Sequence, residues 1–93
     1  MNEEQKQQIY VFVTQNLNRQ NIPVPMRDYL FHLIAAADEA IRREGITPDY
    51  ETESDKHLCE EYACYLYRKR ATGDKMPDSL RWNLNQRHFG RIV

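Results

Sequence analysis

Long apolar segments are missing from this 93-residue chain, and their absence excludes several classes of protein. No run of about 18 apolar residues is present, so the sequence predicts no helix that spans a bilayer. The first residues, Met-Asn-Glu-Glu-Gln-Lys, lack the basic stretch and apolar block of a secretion signal. We therefore expect a protein that is made in a cytoplasm and has no membrane partner.

Cysteine is limited to Cys59 and Cys64, which lie five residues apart. On one helix their side chains would diverge by roughly 140 degrees, which argues against a disulfide between them. The sequence predicts reduced, partly buried thiols. His57 and Cys59 would point about 200 degrees apart, and no CxxC or HExxH pair occurs, so no metal site is expected.

Glycine is also scarce, with three in the chain, which is too few for a loop that cradles phosphate groups. The three histidines His32, His57 and His88 stand outside any motif that pairs a nucleophile with an oriented base. The sequence therefore predicts a protein that is not an enzyme and that needs no cofactor.

Hydrophobic residues make up 41% of the chain and ten residues are aromatic, which is too apolar a composition for a disordered protein. The length fits one compact domain with only a few kcal/mol of spare stability. We expect a single domain over residues 1 to 93 that gains from a stabilising partner.

The net charge of −1 conceals a strong asymmetry along the sequence. Residues 38–61 carry nine acidic and three basic side chains, whereas residues 62–93 carry seven basic and two acidic ones. Segments of opposite sign can complement each other between neighbouring copies of a protein. Two separately solvated faces are the simpler interpretation.

The spacing of apolar residues predicts four helices and no sheet, in a small all-α bundle. Asn2 is the expected N-cap of a first helix over residues 2–18. A second helix, over 26–44, carries an apolar stripe and ends before Gly45. The stripe consists of Leu30, Leu33, Ile34, Ala37 and Ile41.

The third helix is expected to start at Thr52 or Ser54 and to end at about Thr72, with Gly73 following it. Pro77 suits the first position of a fourth helix because its missing N–H would have no partner there. The predicted core face of the third helix comprises Leu58, Cys59, Tyr62, Ala63 and Leu66.

The fourth helix holds the main candidate site. Leu80 and Leu84 share one side of it, and Trp82 and Phe89 make a second apolar edge. Trp82 either faces a partner or completes the core, and the sequence leaves both open. The candidate partner-facing residues of this helix are Arg81, Trp82, Asn85 and Arg87. A second candidate patch on the third helix comprises Tyr65, Tyr67, Arg68 and Arg70.

The same helix supports a competing hypothesis, a small DNA-binding regulator of the helix-turn-helix type. Its polar side chains are of the kinds that read base edges in a major groove. They are Arg81, Asn83, Asn85, Gln86 and Arg87. The slightly negative net charge argues against this hypothesis, because DNA affinity needs several phosphate contacts from lysine and arginine.

Three segments in order resemble the head-to-tail connector, or head-completion, proteins of long-tailed bacteriophages. They are the small-residue helix at 28–41, the aromatic helix at 58–70, and Pro77 followed by Leu80-Arg81-Trp82-Asn83-Leu84-Asn85. Together they cover roughly residues 26–90, and the third segment is the most specific.

This resemblance implies an all-helical subunit that forms a ring of roughly a dozen copies. Such a ring would sit under the portal protein in the virion, extend the DNA channel, and offer a docking surface to the next head-completion or tail protein. DNA passing through would be contacted non-specifically at most. The implied role is assembly, without catalytic turnover.

Overall fold

The computed structural model, which describes residues 1–89, confirms the predicted all-α fold. Four helices are present in this part of the chain, and it contains no strand. They are α1 (Glu3–Asn16), α2 (Val24–Arg43), α3 (Glu53–Thr72) and α4 (Asp78–Phe89). The predicted helix ends lie within two residues of these.

The helix ends follow the expected capping chemistry. The Asn2 side chain accepts a hydrogen bond from the backbone N–H of Gln5 at 2.7 Å, and the Gln5 side chain accepts one from the N–H of Asn2 at 3.0 Å. This reciprocal capping box confirms Asn2 as the N-cap. Gly45 and Gly73 follow α2 and α3 with φ of +87° and +71°, values that favour glycine because it lacks a Cβ.

Two predicted helix starts were wrong. The second helix begins at Val24 and not at Met26, so it includes Pro25, which the first turn tolerates because its N–H would lack an intrahelical partner. Pro77 lies just before α4 instead of opening it. The Pro77 carbonyl accepts the first helical hydrogen bond, from the N–H of Arg81 at 3.1 Å.

Helix α3 is central and contacts the other three helices. Its neighbour α1 runs parallel to it, because Phe12 of α1 stacks on His57 near the start of α3, and Arg19, three residues after α1, reaches Tyr67 near the end of α3. Helices α2 and α4 run antiparallel to α3. The direction of α2 is evident from the contact between Tyr29, near the start of α2, and Tyr67, near the end of α3.

The core lies where α1 and α2 cover α3. The Cys59 thiol contacts the Ile34 carbonyl of α2 at 3.7 Å, and the Cys64 thiol contacts the Val13 carbonyl of α1 at 3.9 Å. The predicted core positions Leu58, Cys59 and Ala63 are buried. The largest fully buried side chains are Ile9, Val13, Leu30, Ile34, Ile41, Ile46, Cys59, Cys64, Leu80 and Leu84.

Tyr62 and Leu66, the other two residues of the predicted core face of α3, pack against the core but are only partly buried. Cys64 is fully buried instead, although the predicted core face of α3 did not include it. The reason is that α1 covers the Cys64 side closely, whereas the Tyr62 and Leu66 side is covered less.

The connector between α2 and α3 closes one end of the bundle. Ile46 and Tyr50 are buried, and the Tyr50 hydroxyl donates to the Asp38 carboxylate at 2.6 Å. Burial, with a smaller contribution from Asp38, raises the pKa of Tyr50 far above its ordinary value. Among residues 1–89, no helix has both the length and the apolar character to cross a membrane.

Candidate partner-binding surfaces

Helix α4 is held on the bundle by its inner face, where Leu80 and Leu84 are buried. These two residues are one helical turn apart and form the apolar stripe that the sequence predicted. Burying two leucine side chains contributes about 3 to 6 kcal/mol before the entropy cost of ordering the helix is subtracted. The apolar contact is therefore a major part of what fixes α4.

Two bidentate ion pairs border the apolar stripe. Arg81 donates to both carboxylate oxygens of Glu44, at 3.0 and 3.1 Å. Arg87 donates to both oxygens of Asp55, at 2.9 and 3.0 Å, and also to the carbonyl of Thr47 at 3.0 Å. Each pair joins the basic C-terminal third to the acidic middle, so part of the charge asymmetry is neutralised within one chain.

The hydrogen bonds of these pairs shift the pKa values of Glu44, Arg81 and Arg87. The hydrogen bond from Arg81 lowers the pKa of Glu44 and raises that of Arg81 in return, although burial opposes both shifts. The hydrogen bond to Asp55 likewise raises the pKa of Arg87. Because the fork of arginine matches a carboxylate with two donors, the pairs also fix the rotation of α4 about its axis.

The outer face of α4, which we define as Trp82, Asn85 and Phe89, points away from the bundle. Trp82 is 62% exposed and Phe89 is 60% exposed, and Asn85 is exposed beside them. Seven residues are close to two helical turns, so the two aromatic side chains lie along one edge. The alternative that Trp82 completes the core is therefore wrong.

The four predicted partner-facing residues of α4 divide into two pairs. Trp82 and Asn85 lie on the outer face, whereas Arg81 and Arg87 direct their guanidinium groups to carboxylates of their own chain. The sequence analysis missed Glu44 and Asp55, the partners of these arginines. No local signal could have revealed them, because the contacts join residues 37 and 32 positions apart.

The second predicted patch is dispersed around the C-terminal part of α3. Arg68 donates to the Asn16 side chain at 2.8 Å, and the guanidinium of Arg70 lies 4.8 Å from the centre of the Tyr29 ring. The Tyr67 hydroxyl accepts a hydrogen bond from Arg19 at 2.8 Å. The ammonium group of Lys69 lies 5.7 Å from the centre of the Tyr65 ring.

Sequence reasoning missed two participants in this patch, Arg19 and Tyr29. Arg19 lies in the connector after α1, and Tyr29 lies in the first half of α2. Both come next to α3 only when the bundle folds. Their contribution turns a run of residues on one helix into a surface built from three elements.

A groove of about 480 Å³ separates the C-terminal part of α3 from the connector to α4. Glu60 is buried in its wall, and both of its carboxylate oxygens are occupied. One oxygen accepts from the Asn16 side chain at 2.7 Å, and the other lies 2.7 Å from His57 Nδ1. This network is a bridge between α1 and α3 that gives each Glu60 oxygen a partner within the chain.

Reactive and metal-binding groups do not converge in the described part of the chain. Burial raises the pKa of Cys59 and of Cys64 to about 12, so both thiols stay protonated at neutral pH. Both are free and buried, as predicted. Among residues 1–89, no group of three His, Cys, Asp or Glu side chains could hold a metal ion.

Comparison with known proteins gives no relative for this chain: no protein-family model matches it, and neither a curated protein nor a solved structure matches it significantly.

Proposed function

We propose that this protein is a structural assembly subunit of the phage head-to-tail connector type, which binds neighbouring subunits through the outer face of α4. The observation that carries the proposal is the exposed Trp82 and Phe89 pair. Tryptophan at the centre of a protein interface is a frequent hot spot, because its large rigid ring loses little entropy on binding.

The way α4 is anchored supports this proposal. The inner face is fixed by two buried leucines and two bidentate ion pairs, so the outer face is presented in one orientation. A surface that is ordered before binding loses less entropy when the partner arrives. Two residues of the segment on which the resemblance to connector proteins rests, Trp82 and Asn85, belong to this face.

A closed ring needs two different complementary surfaces on each subunit, because successive subunits make heterologous contacts. The outer face of α4 would be one of them. The ring would join the portal to the next head-completion or tail protein at the head-tail junction of the virion.

The DNA-regulator alternative has less support from the geometry. Three of the side chains that would read bases are bound to carboxylates of the same chain: Arg81 to Glu44, Asn83 to Glu61 and Arg87 to Asp55. These side chains could contact bases only after their contacts with the carboxylates were broken. The free energy lost in breaking them would have to be offset by the contacts with DNA.

Size-exclusion chromatography with light scattering tests the proposal. The wild-type protein should form a large oligomer, and Trp82→Ala should remain folded but lose it. Val24→Ala is the matched control, since Val24 is a similarly exposed apolar residue on another helix, and it should assemble normally. A stable dimer that Trp82→Ala leaves intact would favour the regulator instead.

A further inference from the structure

Two arginines and two tyrosines contact one another at one end of the bundle, and we call them the arginine–tyrosine cluster. They are Arg19, Tyr29, Tyr67 and Arg70. The Tyr29 and Tyr67 ring centres are 6.5 Å apart, and the guanidinium of Arg70 lies 4.8 Å from the centre of the Tyr29 ring. Arg19 donates to the Tyr67 hydroxyl at 2.8 Å. The cluster therefore joins the connector after α1, the first half of α2 and the end of α3.

The arginines of the cluster differ from those of α4 in their partners. Arg81 and Arg87 are paired with carboxylates of their own chain. Among residues 1–89, neither Arg19 nor Arg70 has a carboxylate oxygen within 4.0 Å of its guanidinium nitrogens, and both side chains are exposed. Aromatic rings hold these guanidinium groups in place, so one ring face and several N–H donors stay available to a partner.

The outer face of α4 carries groups that such a cluster can bind. Tryptophan is the ring that attracts a guanidinium most strongly, and Trp82 is 62% exposed. Asp78 is exposed one turn before Trp82, so it continues the line of the outer face toward the start of the helix. The Asp78 carboxylate has no basic partner within 4.0 Å among the described residues. This side of α4 therefore offers both a ring and a negative charge.

The cluster and the outer face lie on different parts of the subunit. The cluster is built from three elements that precede α4, whereas α4 packs on α3 through its inner face, with Leu80 and Leu84. Because the two surfaces share no residue, one subunit can use both at the same time. A ring with heterologous contacts needs two such surfaces on every copy.

We propose that the arginine–tyrosine cluster of one subunit receives the outer face of α4 from the next copy of this chain. In this contact Trp82 packs on the guanidinium groups of the cluster, and the Asp78 carboxylate accepts hydrogen bonds from their N–H donors. Tryptophan, tyrosine and arginine are the residues most enriched among interface hot spots, and the hot spots of two partners tend to pair. The inference rests on the proposed function, because it names the complementary surface for the same face of α4.

Mixing two assembly-defective variants tests the inference. The cluster variant is Arg19→Glu, Arg70→Glu, whose new carboxylates would repel Asp78 of the next copy. It and Trp82→Ala should each lose assembly and give a folded monomer in native mass spectrometry. An equimolar mixture should give a heterodimer with one copy of each variant and nothing larger. The reason is that the cluster variant keeps an intact outer face and Trp82→Ala keeps an intact cluster, so each pair can form a single contact.

The matched control is the double variant Arg43→Glu, Lys69→Glu, which makes the same change in net charge on exposed residues outside both surfaces. It should assemble as the wild type does, and circular dichroism should show every variant folded. Arg70→Gln alone should raise the protein concentration needed for assembly severalfold, and it guards against misfolding of the double cluster variant.

Three results would overturn the inference while Trp82→Ala still fails to assemble. One is a cluster variant that assembles like the wild type, which would assign the cluster to a partner other than a second copy. Another is an equimolar mixture that stays monomeric at every concentration. The third is equal loss of assembly in the control variant, which would reduce the effect to net charge. A monomeric wild type, or a Trp82→Ala variant that assembles, would instead contradict the proposed function itself.

Discussion

Replacing Asp55 by asparagine tests whether the Asp55 and Arg87 pair holds α4 on the bundle. The Asp55 side chain is only 3% exposed and accepts three hydrogen bonds, two from Arg87 and one from the backbone N–H of Asp49 at 2.7 Å. Asparagine keeps the shape of the side chain but removes its charge and turns one acceptor into a donor. At least one guanidinium donor then faces no acceptor.

We expect Asp55→Asn to lower the free energy of unfolding by about 2 to 3 kcal/mol. Breaking a fully buried ion pair costs roughly 3 to 5 kcal/mol, and the 28% exposure of Arg87 reduces that figure because water can reach its freed donors. For a domain of this size the loss is a large share of the total stability.

Urea unfolding followed by circular dichroism gives the free energy, and the fluorescence of Trp82, the one tryptophan, reports on α4 separately. Glu39→Gln is the control, because its pair with Arg43 is exposed on both sides and should contribute under about 0.5 kcal/mol. If Asp55→Asn were as stable as this control, the pair would not be what fixes α4, and the argument for an ordered outer face would fail.

Three further outcomes are expected. The lowered pKa of Glu44 means that its pair with Arg81 stabilises the fold above about pH 4.5 and weakens as the pH falls below that value. The stability difference between wild type and Glu44→Gln, under about 1 kcal/mol at neutral pH, should therefore shrink in urea titrations as the pH is lowered below about 4.5. Cys59 and Cys64, with pKa values of about 12, should react with a thiol reagent at pH 8 at least about a hundredfold more slowly in the native protein than in urea. Leu84→Ala should cost about 3 kcal/mol in thermal or urea unfolding, because it opens a cavity under α4.

Local chemistry made most of the fold predictable from the sequence. The stripe that runs through Leu30, Ile34, Ala37 and Ile41 fixed the buried face of α2, since i, i+4, i+7 and i+11 positions fall on one side of a helix. Asn2 marked the start of α1 because its side chain accepts a hydrogen bond from a backbone N–H of the first turn. Gly45 marked the end of α2 because the residue at that position adopts a positive φ, which glycine tolerates.

The burial of α3 was harder to predict, because two neighbouring helices decide it. Cys59 and Cys64 face different helices, so the buried surface of α3 is wider than one stripe and excludes Tyr62. A single amphipathic period cannot describe a central helix that contacts three others.

The candidate site was predictable only in part for the same reason. Trp82 and Asn85 were identified by residue type, and their exposure agrees with a surface role. The pairing of Arg87 with Asp55 depends on how α4 docks, and nothing in either local segment indicates it. The contact of Arg19 with Tyr67 likewise arises from the packing of α1 on α3.

Native mass spectrometry over a wide range of protein concentrations tests the central claim most directly, that the outer face of α4 joins subunits into a ring. The wild type should give one closed species of roughly a dozen subunits, and Trp82→Ala should give a folded monomer under the same conditions. A wild-type protein that stays monomeric at every concentration, or a Trp82→Ala variant that forms the same ring, would contradict the claim.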